Sequence, residues 1–402
     1  MSGMGWPRRL AFVTPRYGRD IVGGSEAVMG EAARGLAGRG ALVEVLTTCA
    51  RSHYTWANEL PEGPVQDAGL TVRRFRTVPP ASRLSAAELE LRVQAGEWLD
   101  PTEELAWVNG RLRVPDLYQL LSARADDFDA VVLSPYLFWS TVYGAYAAPD
   151  RAIVMPCLHD EPYAWLPIVA ATLSSVAGLW FLSEPEHELA HRVAPSLAAA
   201  HRVVGAAVDV PERYDPEAFR VRHGLERPFV LYAGRRESGK GWQRLLAGFS
   251  SAVVHHDLPF DLVTVGVGAA EVPRELSDRV VDLGFLEAEE LPSAFAAASA
   301  LLQPSENESF SRTVMEAWLA RTPVVATATG AVVAWHCERS GGGLVYRDEV
   351  ELGECLAFLA EAPESAAVLA ERGRDYVLAN YTWDRVLDEM EGFLDEFLAA
   401  RR

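Results

Sequence analysis

Two glutamates bracket one junction in this chain: Glu308 and Glu316, within Gln303-Pro304-Ser305-Glu306-Asn307-Glu308-Ser309-Phe310-Ser311-Arg312-Thr313-Val314-Met315-Glu316-Ala317. The segment leaves an apolar run (Ala300, Leu301, Leu302), passes through Pro and Ser, and enters a helical pattern. Glu308 stands just outside the helix start and Glu316 just within it. A helix start carries unpaired N–H groups and the positive end of the dipole, which suits phosphate. Carboxylates beside it accept hydrogen bonds from hydroxyls. Acids near a helix start also match the dipole with no ligand at all, so the flanks matter. Arg321-Thr322-Pro323-Val324-Val325-Ala326-Thr327 reads as a breaker feeding a buried strand. Thr329-Gly330-Ala331 and Gly341-Gly342-Gly343 then mark loops at strand ends. An open parallel sheet presents ligands in this order, and phosphate donors beside hydroxyl acceptors fit a nucleotide sugar.

Cations stand at the matching place one strand series earlier. The strand Phe229–Ala233 runs into Gly234-Arg235-Arg236-Glu237-Ser238-Gly239-Lys240-Gly241-Trp242. Arg235 leaves the strand's carboxyl end and Lys240 opens the next helix, so both can meet one diphosphate, Arg as a fork and Lys as a point charge. The glycine spacing and the Lys-Ser/Thr pair of a Walker loop are missing. Taken alone, such a turn is equally a solvated basic loop; its partnership with Glu308 and Glu316 gives it meaning.

Other candidates lie in the first half. Val22-Gly23-Gly24-Ser25-Glu26 sits between the first strand and first helix, where a diglycine allows close approach to phosphate or sugar, or simply makes a tight turn. GxGxxG is absent there, and Gly266-Val267-Gly268 lacks the third glycine, which disfavours a dinucleotide oxidoreductase. Pro156-Cys157-Leu158-His159-Asp160-Glu161 follows another strand; His159 can donate to a sugar hydroxyl or to phosphate, with Asp160 or Glu161 setting its tautomer. His187 and His191 are spaced as a helical ligand pair, but the sequence offers no third partner, so no metal site is expected.

Strand-like and helix-like segments alternate throughout, which predicts two doubly wound α/β halves. The first half has strands at Arg9–Thr14, Leu42–Thr47, Leu70–Phe75, Ala130–Leu133, Ala152–Met155 and Leu179–Leu182, with a helix at Ser25–Ala37. Ala206–Pro216 has turn residues and no periodicity and reads as the linker. The second series is Phe229–Ala233, Leu262–Val265, Val280–Leu283, Ala300–Leu302, Val324–Thr327 and Gly343–Tyr346. Domains are therefore expected over 1–208 and 209–385, with a final helix over 386–402, part of an amphipathic stretch from Trp383 to Ala400 that packs back on the first domain. Residues 51–127 read as an insertion with helices at Ala86–Leu99, Pro101–Val108 and Pro115–Ala123. It either packs its own aromatics (Tyr54, Trp56, Trp107) or shapes an acceptor pocket or partner surface.

Composition excludes several classes. A net charge of −19 is wrong for a nucleic-acid protein, which needs a basic face. Four scattered cysteines with no CxxC pair fit reduced thiols, and Met1 leads too quickly into the first strand for a signal peptide, so a cytoplasmic chain is expected. Leu166–Ser183 has nearly the length of a membrane span, but Pro167, Ser174, Ser175 and Gly178 punctuate it, and it reads as a buried helix running into a core strand.

The Glu-x7-Glu pair (Glu308, Glu316) and the Gly-Arg-x4-Lys-Gly segment (Gly234, Arg235, Lys240, Gly241) make the chain resemble a retaining glycosyltransferase of family four, with the GT-B fold of two Rossmann-like domains facing across a cleft. The resemblance is strongest over 228–385 and 10–48. It implies that Arg235 and Lys240 hold the donor diphosphate, Glu316 the ribose, and Glu308 the donor sugar, with backbone at Phe310 and Ser311 touching sugar or phosphate. It places Gly23 and Gly24 opposite the diphosphate, His159 near the transferred sugar, and Phe285, at the end of Val281–Phe285, beside the nucleobase. It further implies a UDP- or GDP-sugar donor, a glycan, lipid-linked or small-molecule acceptor, no metal or other cofactor, and at most peripheral association with the inner membrane face. Ser309 and Ser311 depart from the family, which usually has glycine there, and Trp335-His336-Cys337-Glu338 is expected in a loop that is unusually bulky. Two rivals remain: a GT-B epimerase or phosphorylase, and a non-catalytic nucleotide- or glycan-binding module.

Overall fold

The computed structural model describes residues 8–18, 21, 23–79 and 86–401. The chain divides into two compact units, Met1–Gly205 with Val386–Arg402, and Ala206–Arg385. Each is built on one sheet. The first unit holds β1 (Arg9–Val13), β2 (Leu42–Thr48), β3 (Gly63–Asp67), β4 (Leu70–Phe75), β5 (Ala130–Leu133), β6 (Ala152–Val154), β7 (Gly178–Phe181) and β8 (Ala200–Val203). The second holds β9 (Phe229–Ala233), β10 (Asp261–Val265), β11 (Val280–Gly284), β12 (Ala300–Gln303), β13 (Val324–Thr327) and β14 (Gly343–Tyr346).

The second sheet runs β11-β10-β9-β12-β13-β14, all parallel, which is the Rossmann order with its switch point between β9 and β12. Its strands are apolar because helices cover both faces: Phe229, Val230, Leu231 and Tyr232 of β9 are all at or below 2 % exposure. Leu231 pairs with Leu301 across the switch point, so the loops after β9 and β12 emerge as neighbours at the sheet's carboxyl edge. That places the Arg235–Lys240 turn beside the Glu308 loop.

The first sheet runs β3-β4-β2-β1-β5-β6-β7-β8, with β3 alone antiparallel, and it too is doubly wound about β1 and β5. Sequence reasoning missed β3 and β8. Both are short edge strands with little apolar content, Gly-Pro-Val-Gln-Asp and Ala-His-Arg-Val, and an edge strand is specified by its neighbour more than by its own pattern. The helix expected to reach Leu99 stops at Gln94, close before Gly96, whose φ of +73° suits the left-handed turn that follows.

Within the insertion, Trp107 is 2 % exposed and stacks on Tyr163 at 5.7 Å, while Tyr54 is 80 % exposed. Trp107 therefore serves this unit's own core, while Tyr54 and Trp98 face solvent. In the last helix (Trp383–Ala399), residues from Val386 onward belong to the first unit. Leu387 lies so close to Gly35 that a Cβ there would meet it at 2.7 Å, and Arg39 bonds Asp388 at 2.6 Å. No helix among the described residues is long and apolar enough to cross a membrane; Leu166–Ser183 resolves into helix Pro167–Ser175 and β7.

Candidate functional site

In the second unit, three loops converge on the switch point. β9 ends at Ala233, a 3-10 turn covers Ser238–Lys240, and helix Trp242–His255 begins after Gly241. Lys240 Nζ donates to Glu308 Oε1 at 2.7 Å and to the Asn307 carbonyl at 3.2 Å. Two residues distant in sequence therefore form one charge pair, with side chains 23 % and 17 % exposed. The close approach depends on Gly241. Its φ is +72°, and a Cβ there would meet the Pro304 carbonyl oxygen at 2.3 Å.

Glu316 sits one turn into helix Arg312–Leu319, with Arg312 Nε 3.9 Å away. The helix cap, Ser311, is in the left-handed region at φ 68° and makes no side-chain cap bond. Its hydroxyl instead accepts from Gln303 Nε2 at 2.8 Å. That bond fixes a serine in a conformation most residues avoid, and the first N–H groups of the helix receive no side-chain cap from it. A phosphate or sugar oxygen fits such an end.

Arg235 is exposed and pairs with Glu237 at 3.1 Å, so the structure does not join it directly to the Lys240–Glu308 pair. The neighbouring Arg236, which sequence reasoning passed over, is buried. It donates to Thr264 Oγ1 (3.1 Å) and to the carbonyls of Gly266 (2.8 Å) and Gly268 (2.9 Å), and it pairs with Asp282. One guanidinium thus ties the loop after β9 to β10, the loop after β10 and β11. Nothing in two adjacent arginines says which turns inward. Phe285 follows β11 and is 59 % exposed, an aromatic face open to solvent at the carboxyl edge.

Trp335-His336-Cys337-Glu338 is not a loop. It lies in helix Ala331–Ser340, which starts after Gly330, where a Cβ would meet the Ser305 carbonyl oxygen at 2.4 Å. The expectation failed because the Thr-Gly turn ends at Gly330 and the segment carries a buried face, Val332, Val333, His336 and Cys337. His336 is fully buried; its Nδ1 lies 3.0 Å from the Tyr376 hydroxyl, which lies 2.9 Å from that of Tyr381. The rings of His336 and Tyr381 stand edge-on to Phe310 at 5.4 and 4.9 Å. This aromatic group holds the Glu308–Ser311 loop from behind.

Burial pushes the His336 imidazole down to about 3. A folded-state value below the unfolded one, about 6.5, means the unfolded chain binds the extra proton. The contribution is complete above pH 6.5 and is lost as pH falls from there toward 3. Urea unfolding is expected to show stability falling by up to about 1.4 kcal/mol per pH unit through this single group below pH 6.5. His336→Gln should remove one proton from that slope. An unchanged slope would show that His336 titrates normally.

In the first unit, Gly23 stands against a buried ion pair: Arg16 Nη2 and Glu26 Oε1 are 2.5 Å apart, and a Cβ on Gly23 would meet Glu26 Oε2 at 2.2 Å. Close packing thus accounts for Gly23, while Gly24 has open space around its Cβ position. Val22 of the same turn lies outside the described residues. A cavity of about 480 Å³ adjoins this turn, lined by Tyr17, Glu26, Arg34 and Asp67 among others. His159 Nδ1 lies 3.5 Å from Glu161 Oε1, so Glu161 is its partner; Asp160 is taken by Arg192 and Trp165. The backbone before His159 is held by Glu186, which is fully buried and accepts from Leu158 N at 2.7 Å and Leu182 N at 2.5 Å. Burial raises its carboxyl to about 8 against the opposing backbone bonds. Nothing about the third residue of a helix marks it out in the sequence, and only the fold shows its reach.

Residues 227–361 match a model of the family described as glycosyl transferases group 1. The D-inositol 3-phosphate glycosyltransferase of Saccharomonospora viridis is 26 % identical, over 99 % of this chain and 96 % of its own length. The GDP-mannose-dependent alpha-mannosyltransferase of Mycolicibacterium smegmatis is 29 % identical over 61 % of this chain and 71 % of its own. Among solved structures, HepE of Anabaena in complex with UDP and glucose superposes with a TM-score of 0.71 at 15 % identity, covering 97 % of this chain and 100 % of that one. Sucrose-phosphate synthase of Thermosynechococcus elongatus gives 0.72 at 18 %, covering 98 % and 100 %. Residues 227–361 thus carry a domain of the glycosyl transferases group 1 family, and the two Rossmann-like units have the GT-B fold of the structural neighbours.

Proposed function

We propose that this glycosyltransferase moves a sugar from a UDP- or GDP-linked donor to an acceptor hydroxyl with retained configuration, and that it does so without a divalent metal. The observation carrying this reading is the Lys240–Glu308 pair at 2.7 Å, at the switch point beside a helix start without a side-chain cap. A donor diphosphate takes Lys240 as its cation, with Arg235 swinging in from solvent as a second. Glu308, released from Lys240, accepts from the sugar hydroxyls, and Glu316 from the ribose. Phe285 stacks beside the base. Fixed positive charge aimed at the leaving group supplies what a metal would otherwise supply.

The C1–oxygen bond to the diphosphate breaks, a bond from C1 to the acceptor oxygen forms on the same face, and the hydroxyl proton passes to the departing phosphate. His159, oriented by Glu161, donates to the transferred sugar. The acceptor occupies the first unit's cavity, where Arg34 Nη1 lies 3.3 Å from the Tyr17 hydroxyl. An arginine there suits an acceptor bearing phosphate, the acceptor named for the inositol-phosphate relatives.

The test is a panel of UDP- and GDP-sugars screened by thermal shift, since a ligand of the native state raises its melting point. Turnover of the stabilising donor then follows in EDTA, with the product's anomeric configuration read by NMR. Retained configuration and EDTA-insensitive turnover are expected. An inverted product or abolition by EDTA would overturn the mechanism, and binding without turnover would favour the binding-module rival.

A further inference from the structure

The helix Glu184–Val193 and the edge strand β8 bring together three histidines that the catalytic reading does not use. His187 and His191 lie one turn apart on the helix, as their spacing requires. The third ligand that the sequence lacked is His201, on β8, whose backbone pairs with Leu179 of β7. One ring nitrogen from each of His187, His191 and His201 lies within 4.8 Å of the other two. The Nε2 atoms of His187 and His191 are already 3.1 Å apart. A four-coordinate zinc with bonds of about 2.0–2.1 Å holds its nitrogen donors roughly 3.4 Å from one another. Closing the remaining gap takes a ring rotation of His201, the exposed member.

Hydrogen bonds at Nδ1 of two of the three rings point the same way. His201 Nδ1 lies 3.2 Å from the Ala199 carbonyl. A carbonyl only accepts, so Nδ1 carries the proton and Nε2 keeps its lone pair. His187 Nδ1 lies 3.3 Å from Glu184 Oε1, which fixes the same tautomer. A carboxylate or carbonyl behind each imidazole is how metal-bound histidines are oriented. Two imidazole nitrogens facing each other at hydrogen-bond distance gain from a shared cation, and imidazole suits zinc, copper and nickel among the divalent metals.

We propose that His187, His191 and His201 form a surface site for a divalent transition metal, zinc by preference. Glu184 orients the first ligand, water completes the coordination, and the metal clasps the helix Glu184–Val193 to the edge of the first sheet. An edge strand is the least anchored part of a sheet, so a ligand of the native state bridging it should raise thermal stability.

The test uses the full chain without an affinity tag, stripped with chelator and titrated calorimetrically with zinc chloride in a non-coordinating buffer. Magnesium chloride serves as the control. One equivalent of zinc is expected to bind, with an upward shift in melting temperature and no response to magnesium. Glu184→Gln should weaken zinc binding by about 10–100-fold, the usual effect of losing such a partner, and His201→Gln by at least as much. His201 is exposed, so its replacement leaves the fold intact, and an unchanged melting point of the metal-free variant verifies this. No saturable zinc binding, or equal affinity in the His187→Gln/His201→Gln double variant, would overturn the proposal. The second outcome would move the metal to other ligands.

Discussion

Lys240→Ala is expected to lower kcat/KM for the nucleotide-sugar donor by about 10²–10³, the effect of removing one preorganised donor from a developing negative charge, about 3–4 kcal/mol. Lys240 meets Glu308 at 2.7 Å with both side chains largely sheltered, so the cation proposed for the diphosphate is already held in one place. Its truncation removes charge stabilisation and also leaves Glu308 without this partner. Glu308→Gln should show a loss of similar size, through the sugar's hydroxyl contacts. Because the two side chains touch, the double variant should lose less than the two single losses combined. Arg235→Ala is the internal comparison: Arg235 is half exposed and bonded to Glu237, so its loss should be smaller. Turnover by Lys240→Ala within threefold of wild type would remove the charge pair from the mechanism.

Gly241→Ala should damage both stability and turnover. A left-handed backbone costs a non-glycine residue roughly 1–2 kcal/mol, and forcing a methyl into a filled space adds about 1–3 kcal/mol. Here the obstacle is the Pro304 carbonyl oxygen, 2.3 Å from the new Cβ, and backbone yields less readily than a flexible side chain. The expected cost is about 2–5 kcal/mol in urea unfolding of the second unit. Relief of the clash must separate the Lys240 turn from the Glu308 loop, so donor affinity should fall even in the folded fraction. Gly239→Ala, where the added Cβ meets nothing within 4 Å, is the control and should behave like wild type. Equal stability of both variants would show that the two loops are not packed as described.

The sequence by itself carried the doubly wound alternation, because parallel strands buried on both faces must be apolar and their connecting helices periodic. It also placed Glu308, Glu316 and Lys240 at strand ends and helix starts, since glycine, proline and charge mark those ends in the chain itself. It could not say that Lys240 bonds Glu308 rather than solvent, or that Arg236 and not Arg235 turns inward. Those outcomes depend on which loops the strand order makes neighbours, and β9 lies beside β12 only in the folded sheet.

The same limit explains His336. Its neighbours come from two distant segments, Phe310 from the loop before helix Arg312–Leu319 and Tyr376 and Tyr381 from helix Pro363–Asn380 and its C-cap, so a helical segment was taken for a bulky loop. Glu186 and His201 are alike in this respect. Neither stands out in the sequence, and only β7 and β8 carry them to their partners. Local chemistry is written in residue order, but contacts between distant segments arise only when strand pairing and burial set their distances. That is why the tertiary structure alone decided the charge pair, the buried arginine and the three-histidine cluster.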